Sequence, residues 1–285
     1  MNQKKPRYEW LCPVKFSLCE IDVEMPPFAT EALILRSVDF QESDRLITFY
    51  SAQLGKMRGV AKGAKRSRKR FGSNLDLLAH VRIQGFERSN QDLVRIEGAD
   101  LLEYFEGIRQ NLLSFARACY LAEWTEACTA YRQPLPGLLT LILHVLSTFE
   151  EGKGGEGLLR TFEVKVLDLT GYGPRLDRCV SCGRPTKGAN EILIHVARGG
   201  VVCGDCPADP HGGLRVSPGT VRILEDVRTE PLNRLHRIGF SAGALKESST
   251  LLRSFFAYHV GLQLKSVSFL ESVECKTAQA GHRGG

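Results

Sequence analysis

Between about residues 30 and 105, apolar side chains come in short runs or alternate with polar ones, the period of two that predicts β-strands. The runs are Ala32–Leu35, Leu46–Tyr50, Met57–Ala61, Ala79–Phe86 and Leu93–Ile96, with turn-forming residues between them. Five strands at this spacing suit a small barrel. The compact five-stranded barrel most often met in nucleic-acid proteins is the OB fold, which takes up single strands on its sheet face and loops.

From about residue 108 the period changes to three and four. Leu112, Phe115, Cys119 and Ala122 make one stripe and Leu121, Trp124, Cys128 and Tyr131 another, predicting a helix with a broad apolar face that Pro134 and Pro136 end. A second helix runs to about Phe149, the glycine-rich stretch 152–157 breaks it, and a third runs from about Leu158 to Thr170 before Gly171 and Pro174. Helix returns at Thr220–Val227, and again from Ser241, a predicted N-cap, to about Tyr258. In that last helix Leu251, Leu252, Phe255 and Phe256 should pack on the central helices. The fold class predicted is therefore α+β and multidomain. An OB-fold barrel at 30–105 precedes a helical domain at 106–271, which carries an inserted four-cysteine zinc element at about 175–216. Residues 272–285 read as a frayed tail and 1–29 as a disordered extension, with Met25 an alternative start.

The four cysteines are Cys179-Val-Ser-Cys182 and Cys203-Gly-Asp-Cys206, two close pairs separated by 20 residues. Each pair can grip one face of a tetrahedral ion, and zinc is the expected occupant. Four sulfur ligands leave no open position, so the expected site is structural. Gly183 and Gly204 suit the tight backbone of metal knuckles by tolerating positive φ. A pair of redox dithiols is the alternative, but no strand-then-helix pattern surrounds Cys179. His195 and His211 read as surface histidines. Cys119 and Cys128 fall in the helical pattern as small hydrophobes, and Cys12, Cys19 and Cys275 in the tails.

Composition narrows the class without naming a chemistry. A 285-residue chain with 43% hydrophobic and 25% charged residues is that of a soluble globular protein of two or three domains. The longest apolar run, Leu138–Leu146, is interrupted by Thr140 and His144 and falls short of a membrane span. Lys15, Glu20, Asp22 and Glu24 exclude an ordinary signal peptide, so the expected location is the cytoplasm.

The net charge of +6 matters less than its clustering. Lys56, Arg58, Lys62, Lys65, Arg66, Arg68, Lys69 and Arg70 occur with no acid between residues 56 and 70. A solvated loop is the bland reading. With Arg36 and Arg45 on neighbouring strands of a barrel and Phe71 beside the run, binding of nucleic acid through phosphate is the expected role. No catalytic residue is predicted. Gly239-Phe-Ser241-Ala-Gly243 has the form of a hydrolase nucleophile elbow, but Glu247 and His259 share one predicted helix and no doubly wound sheet is available. Phosphate-loop and zinc-peptidase motifs are absent from the sequence.

Several segments in order resemble the bacterial recombination mediator family RecO. They are Glu31-Ala-Leu-Ile-Leu-Arg-Ser, Glu42-Ser-Asp-Arg-Leu, Ala61-Lys-Gly-Ala-Lys-Arg with Arg70-Phe-Gly, Phe162-Glu-Val-Lys-Val-Leu through Gly171-Tyr-Gly-Pro, and Leu264-Lys-Ser-Val-Ser-Phe-Leu. The resemblance implies an OB domain, a helical domain and an inserted zinc element. It also implies binding of single- and double-stranded DNA, annealing of complementary strands, and work with RecR and single-stranded-DNA-binding protein that loads RecA at the nucleoid. An RNA-binding protein built on the same barrel is the alternative expectation.

Overall fold

The computed structural model describes residues 27–67, 69–87, 93–186, 192–207 and 213–282. Strands β1 (Phe28–Phe40), β2 (Asp44–Ser51), β3 (Gly55–Ala61), β4 (His80–Phe86) and β5 (Val94–Glu103) form a closed barrel of OB type in the order β1-β2-β3-β5-β4. Adjacent strands are antiparallel except β3 and β5, which run parallel and close the barrel. One set of alternating side chains, including Ala32, Ile34, Ile47, Phe49, Met57, Val81 and Ile96, fills the interior. A Cβ on Gly59 would lie 2.8 Å from Ile96 and Val94, so that strand crossing needs glycine.

β1 is longer than its apolar run, and a bulge between Ile34 and Arg36 turns its outward face. Leu33, Leu35 and Tyr50 leave the barrel on that outward face and join a second core made by the helices. The barrel is thereby seated on the helical part by burial of apolar surface.

The helices are α1 (Glu106–Gln110), α2 (Leu112–Cys128), α3 (Leu138–Glu150), α4 (Glu156–Leu169), α5 (Pro218–Thr229), α6 (Ala242–His259) and α7 (Ser266–His282). The single helix expected from about 108 to Tyr131 is instead two. Asn111 is extended (φ −113°) and its side chain caps α2 by accepting from Ser114 N at 3.0 Å. Leu112, expected on the buried stripe, is 59% exposed at this junction. α2 ends at Cys128 because the chain then turns against β3, where Arg132 N donates to Lys56 O at 3.0 Å. Trp124 is fully buried, its ring centroid 4.4 Å from that of Phe256. The predicted α6 stripe of Leu251, Leu252, Phe255 and Phe256 is buried beside it.

The expectation of a frayed tail after Glu271 is corrected. α7 continues through that point and packs on α2, with Leu270 and Val273 buried. Burial of each contributes on the order of 1.5–3 kcal/mol, enough to hold a helix of low overall hydrophobicity in place. Cys275, assigned to the tail, lies on its exposed side. Of the expected 1–29 extension, residues 1–26, with Cys12 and Cys19, lie outside the described residues, and its end is corrected, because Phe28 and Ala29 already belong to β1 and pair with β4.

Between α4 and α5 a small antiparallel sheet, β7 (Gly200–Val202), β6 (Ile192–His195) and β8 (Gly213–Val216) in that order, backs the cysteines. Ile192, Ile194, Val201 and Val216 belong to the helical core. Among the described residues no helix is long and apolar enough to cross a membrane.

Candidate nucleic-acid interface and metal centre

The sulfur atoms of Cys179, Cys182, Cys203 and Cys206 lie within 4.8 Å of one another. Cys182 and Cys203 are 3.5 Å apart, Cys203 and Cys206 3.6 Å, and Cys179 and Cys206 3.9 Å. Four thiolates at about 2.3 Å from a tetrahedral zinc would be separated by about 3.8 Å, so the cluster has the dimensions of such a shell. The first knuckle closes with Gly183 N donating to Cys179 O at 2.9 Å, and Gly183 has φ +76°. The second closes with Cys206 N donating to Cys203 O at 3.1 Å, but the positive φ expected at Gly204 does not occur. Val180 N donates to Val201 O at 2.8 Å and fastens the first knuckle to β7. A Cβ on Gly200 would meet Arg175 O at 2.3 Å, so this joint needs glycine.

Proton sharing in the cluster follows from crowding. Burial pushes the Cys179 thiol up, but backbone N–H donors from Cys203, Cys182 and Ser181 outweigh it and bring the pKa to about 6. Cys206, hydrogen-bonded by Cys203 and Cys182, is pushed up to about 12. Four thiols so close cannot all ionise without a cation among them. His195 is not the surface histidine expected: it is buried at the end of β6 and lies outside the sulfur cluster. His211 lies outside the described residues. Burial, first of all, pushes the thiols of half-buried Cys119 and buried Cys128 up to about 11 and about 12, which keeps both neutral.

The basic segment divides according to what each cation meets. The 62–79 connection is pinned where it leaves β3. Asp44 accepts from Gly63 N at 2.8 Å and from Ser43 Oγ at 3.0 Å, and the Gly63 N–H is the main reason its carboxyl is held below the usual range. Phe71, expected beside the run on the binding surface, is 1% exposed and plugs the barrel core. It anchors the loop, with the Arg70 guanidinium 5.0 Å over its ring.

Several of the other cations have partners within the protein. Arg45 pairs with Asp76 at 3.0 Å, Lys65 with Asp39 at 2.9 Å, and Arg36 with Glu126 of α2 at 3.0 Å. Arg70 donates to Ser67 Oγ at 3.1 Å and Lys62 O at 3.0 Å. Lys56 is half-buried against α2, donating to Glu126 O at 2.5 Å, and burial lowers its pKa. The expectation that the whole segment faces water or a polyanion is therefore corrected for Lys56. Among the described residues Arg58, Lys62, Arg66 and Lys69 are exposed and make no ion pair. Arg68 lies outside the described residues.

Strand register brings Arg36 and Arg58 together, one on each side of Thr48. They open into a cleft of 420 Å³ between the barrel and the helical part, whose far wall carries Glu123, Glu126 and Lys265. Glu123 is occupied in capping α7, accepting from Lys265 N at 3.0 Å and Ser266 N at 2.7 Å. Sequence reasoning passed over Phe40, which is 37% exposed at the outer end of β1. The alternation Arg36, Val38, Phe40 beyond the apolar run was the signal for it.

The Gly239–Gly243 motif has different local roles. Ser241 Oγ accepts from Ala244 N at 3.2 Å as the predicted N-cap, Glu247 accepts from Ser217 Oγ at 2.8 Å, and His259 Nε2 lies 2.9 Å from Val196 O.

A five-stranded barrel with an open basic loop, seated on a helical body with a four-cysteine element, defines a two-part protein of the OB class. Comparison with known proteins places it further. Residues 25–105 match the family described as Recombination protein O N terminal, and residues 109–268 match Recombination protein O C terminal. The chain is 32% identical over 248 residues to the DNA repair protein RecO of Syntrophus aciditrophicus, covering 86% of this chain and 95% of that one. It is 34% identical over 245 residues to the DNA repair protein RecO of Geobacter metallireducens, covering 86% and 97%. The chain belongs to the recombination protein O family, and its role is in DNA repair and recombination.

Proposed function

We propose that this chain is a recombination mediator that binds single- and double-stranded DNA, anneals complementary strands, and acts with RecR and single-stranded-DNA-binding protein to promote RecA loading at the nucleoid, in the cytoplasm. The observation that carries the reading is the loop after β3, where exposed Lys62, Arg66 and Lys69 have no ion-pair partner among the described residues. Unpaired cations on a pinned loop exchange water and counterions for phosphates at little ordering cost. Contacts of that kind neutralise one strand while leaving most of its bases free to pair, and this lowers the repulsion that slows annealing. No covalent step is required, so the proposed role is not that of an enzyme.

Zinc held by Cys179, Cys182, Cys203 and Cys206 would supply cross-linking and no reaction chemistry. The first knuckle is fastened to β7 through Val180 N and Val201 O, and the apolar side chains of β6 and β7 complete the helical core.

The test is the annealing rate of complementary oligonucleotides, bare and coated with single-stranded-DNA-binding protein, across a salt series. Acceleration on coated strands that fades as salt rises supports a mediator acting through phosphate. No acceleration by folded, metal-loaded protein overturns it. Neutralising about five phosphates of a single strand gives a log–log salt slope near −3.5, and a slope near zero excludes the basic loop as the contact.

A further inference from the structure

The four clustered cysteines differ in how they meet water. Cys179 is 1% exposed, and its sulfur accepts from Cys203 N at 3.3 Å and Ser181 N at 3.4 Å. Cys182 is exposed, and Cys203 and Cys206 are half-buried. Cys182 and Cys203 come from different knuckles, and their sulfurs are 3.5 Å apart. Closing that gap to a bond takes about 1.5 Å of movement, within reach of side-chain rotation at an exposed residue.

Contacts other than sulfur hold the two knuckles side by side. Arg184, two residues after Cys182, pairs with Asp205, two residues after Cys203. The Arg184 carbonyl also accepts from Cys179 N at 2.8 Å, and Val180 N donates to Val201 O on β7. Cys182 and Cys203 are therefore kept as neighbours by the protein itself.

We propose that Cys182 and Cys203 form an oxidation site, at which hydrogen peroxide joins the two sulfurs as a disulfide and the element gives up its zinc. The proposal rests on the zinc reading above and adds a redox response to it. A sulfur that serves as a metal ligand is already deprotonated, so access decides which one peroxide meets first, and Cys182 is the exposed one. Its sulfur attacks one peroxide oxygen, the O–O bond breaks, and with one proton from solvent the products are Cys182 sulfenic acid and water. The Cys203 sulfur then attacks that of Cys182, the S–O bond breaks, and the departing hydroxide takes a second proton to leave as water. Two thiolates, one peroxide and two protons thus give one disulfide and two waters, with sulfur oxidised and peroxide reduced. Cys179 is the poorer partner for Cys182, because it is buried and its sulfur is tied to two backbone N–H groups. Once Cys182 and Cys203 are joined, Cys179 and Cys206 supply only half of a tetrahedral shell.

The test uses the zinc-loaded full chain beside its Cys12→Ala/Cys19→Ala/Cys275→Ala variant, which lacks the cysteines outside the element and α2. One equivalent of hydrogen peroxide should release about one equivalent of zinc to a chromogenic chelator. Peptide mapping by mass spectrometry should find Cys182 joined to Cys203, and dithiothreitol with added zinc should reverse both changes. The oxidised, zinc-free form should melt above the reduced, chelated form, because the new link closes the 20-residue loop between the knuckles in the unfolded chain. Zinc retained through the peroxide treatment, zinc lost without the Cys182–Cys203 link, or a disulfide confined to one knuckle overturns the proposal. A chain that takes up no zinc yet still joins Cys182 to Cys203 overturns the zinc reading alone and leaves the oxidation site standing.

Discussion

Arg36 of the barrel and Glu126 of α2 meet at 3.0 Å across the seam between the two parts of the molecule. The pair is half open to water on the arginine side, so its net worth to stability is about 0–1 kcal/mol. Its electrostatic effect on a polyanion is larger, because Glu126 cancels one of the two arginines that face the cleft. Glu126→Gln should therefore raise affinity for single-stranded DNA several-fold with little change in Tm, and Arg36→Ala should lower it. Fluorescence anisotropy at low salt, beside a thermal melt, checks both. Weaker DNA binding by Glu126→Gln would mean that the pair orders the seam and does not compete with phosphate.

The cations of the basic segment should not be equivalent. Lys62→Ala/Arg66→Ala/Lys69→Ala removes three unpaired charges, so the magnitude of the salt slope on single strands should fall by about 2, at about 0.7 per phosphate contact. Tm should stay where it is. Arg70→Ala should instead lower Tm, since its guanidinium braces Ser67, the Lys62 carbonyl and the Phe71 ring. A salt titration and a melt on each variant separate phosphate contact from loop support.

That division was not legible in the sequence. Eight cations without an acid looked like one surface, because the group that engages Lys56 lies 70 residues away along the chain and the acid that pairs Lys65 sits back on β1. The barrel was legible, since an interior filled from one side of each strand imposes a period of two. The ends of β1 and β5 were not, because beyond the interior Val38, Phe40, Leu101 and Leu102 are exposed and apolar residues there no longer mark a buried face. β6, β7 and β8 were missed for their length, and α7 because Leu270 and Val273 are a thin stripe in a polar sequence. The four cysteines stood out because two close pairs have the spacing in the chain that a tetrahedral metal shell requires.

Metal loss should act on the helical body more than on the barrel. Cys203→Ser removes a ligand, and the protein should then bind less than one equivalent of zinc and melt at a lower temperature, as the wild type should after chelation. Among the described residues the barrel interior contains none from the cysteine element, so DNA binding through the loop should persist below the melting point. Metal analysis, a melt and anisotropy on the same sample check this. An unchanged Tm after metal removal would mean that β6–β8 hold the element without an ion.

The most deeply buried ion pair among the described residues makes a prediction with a definite pH sign. Arg160 Nη2 lies 2.8 Å from Glu163 Oε1, with the two side chains 2% and 0% exposed, and Tyr120 donates to the same oxygen at 2.5 Å. Burial raises the Glu163 pKa above its ordinary value of 4.5, and Arg160 is the main group opposing that rise. Arg160→Met leaves the carboxylate buried without its counter-charge and should cost about 3–5 kcal/mol. It also lets the pKa climb further. A carboxyl protonated in the folded state and ionised in the unfolded state loses stability as pH rises, from about 4.5 up to the folded value. Arg160→Met should therefore be most stable at acid pH and weaken toward neutrality. Arg160→Met/Glu163→Gln keeps an acceptor for Tyr120, removes the stranded charge and should recover much of the loss with a flatter pH profile. Urea melts at several pH values decide it. A single variant with no more pH dependence than the double would show that the carboxylate reaches water or another cation once Arg160 is gone.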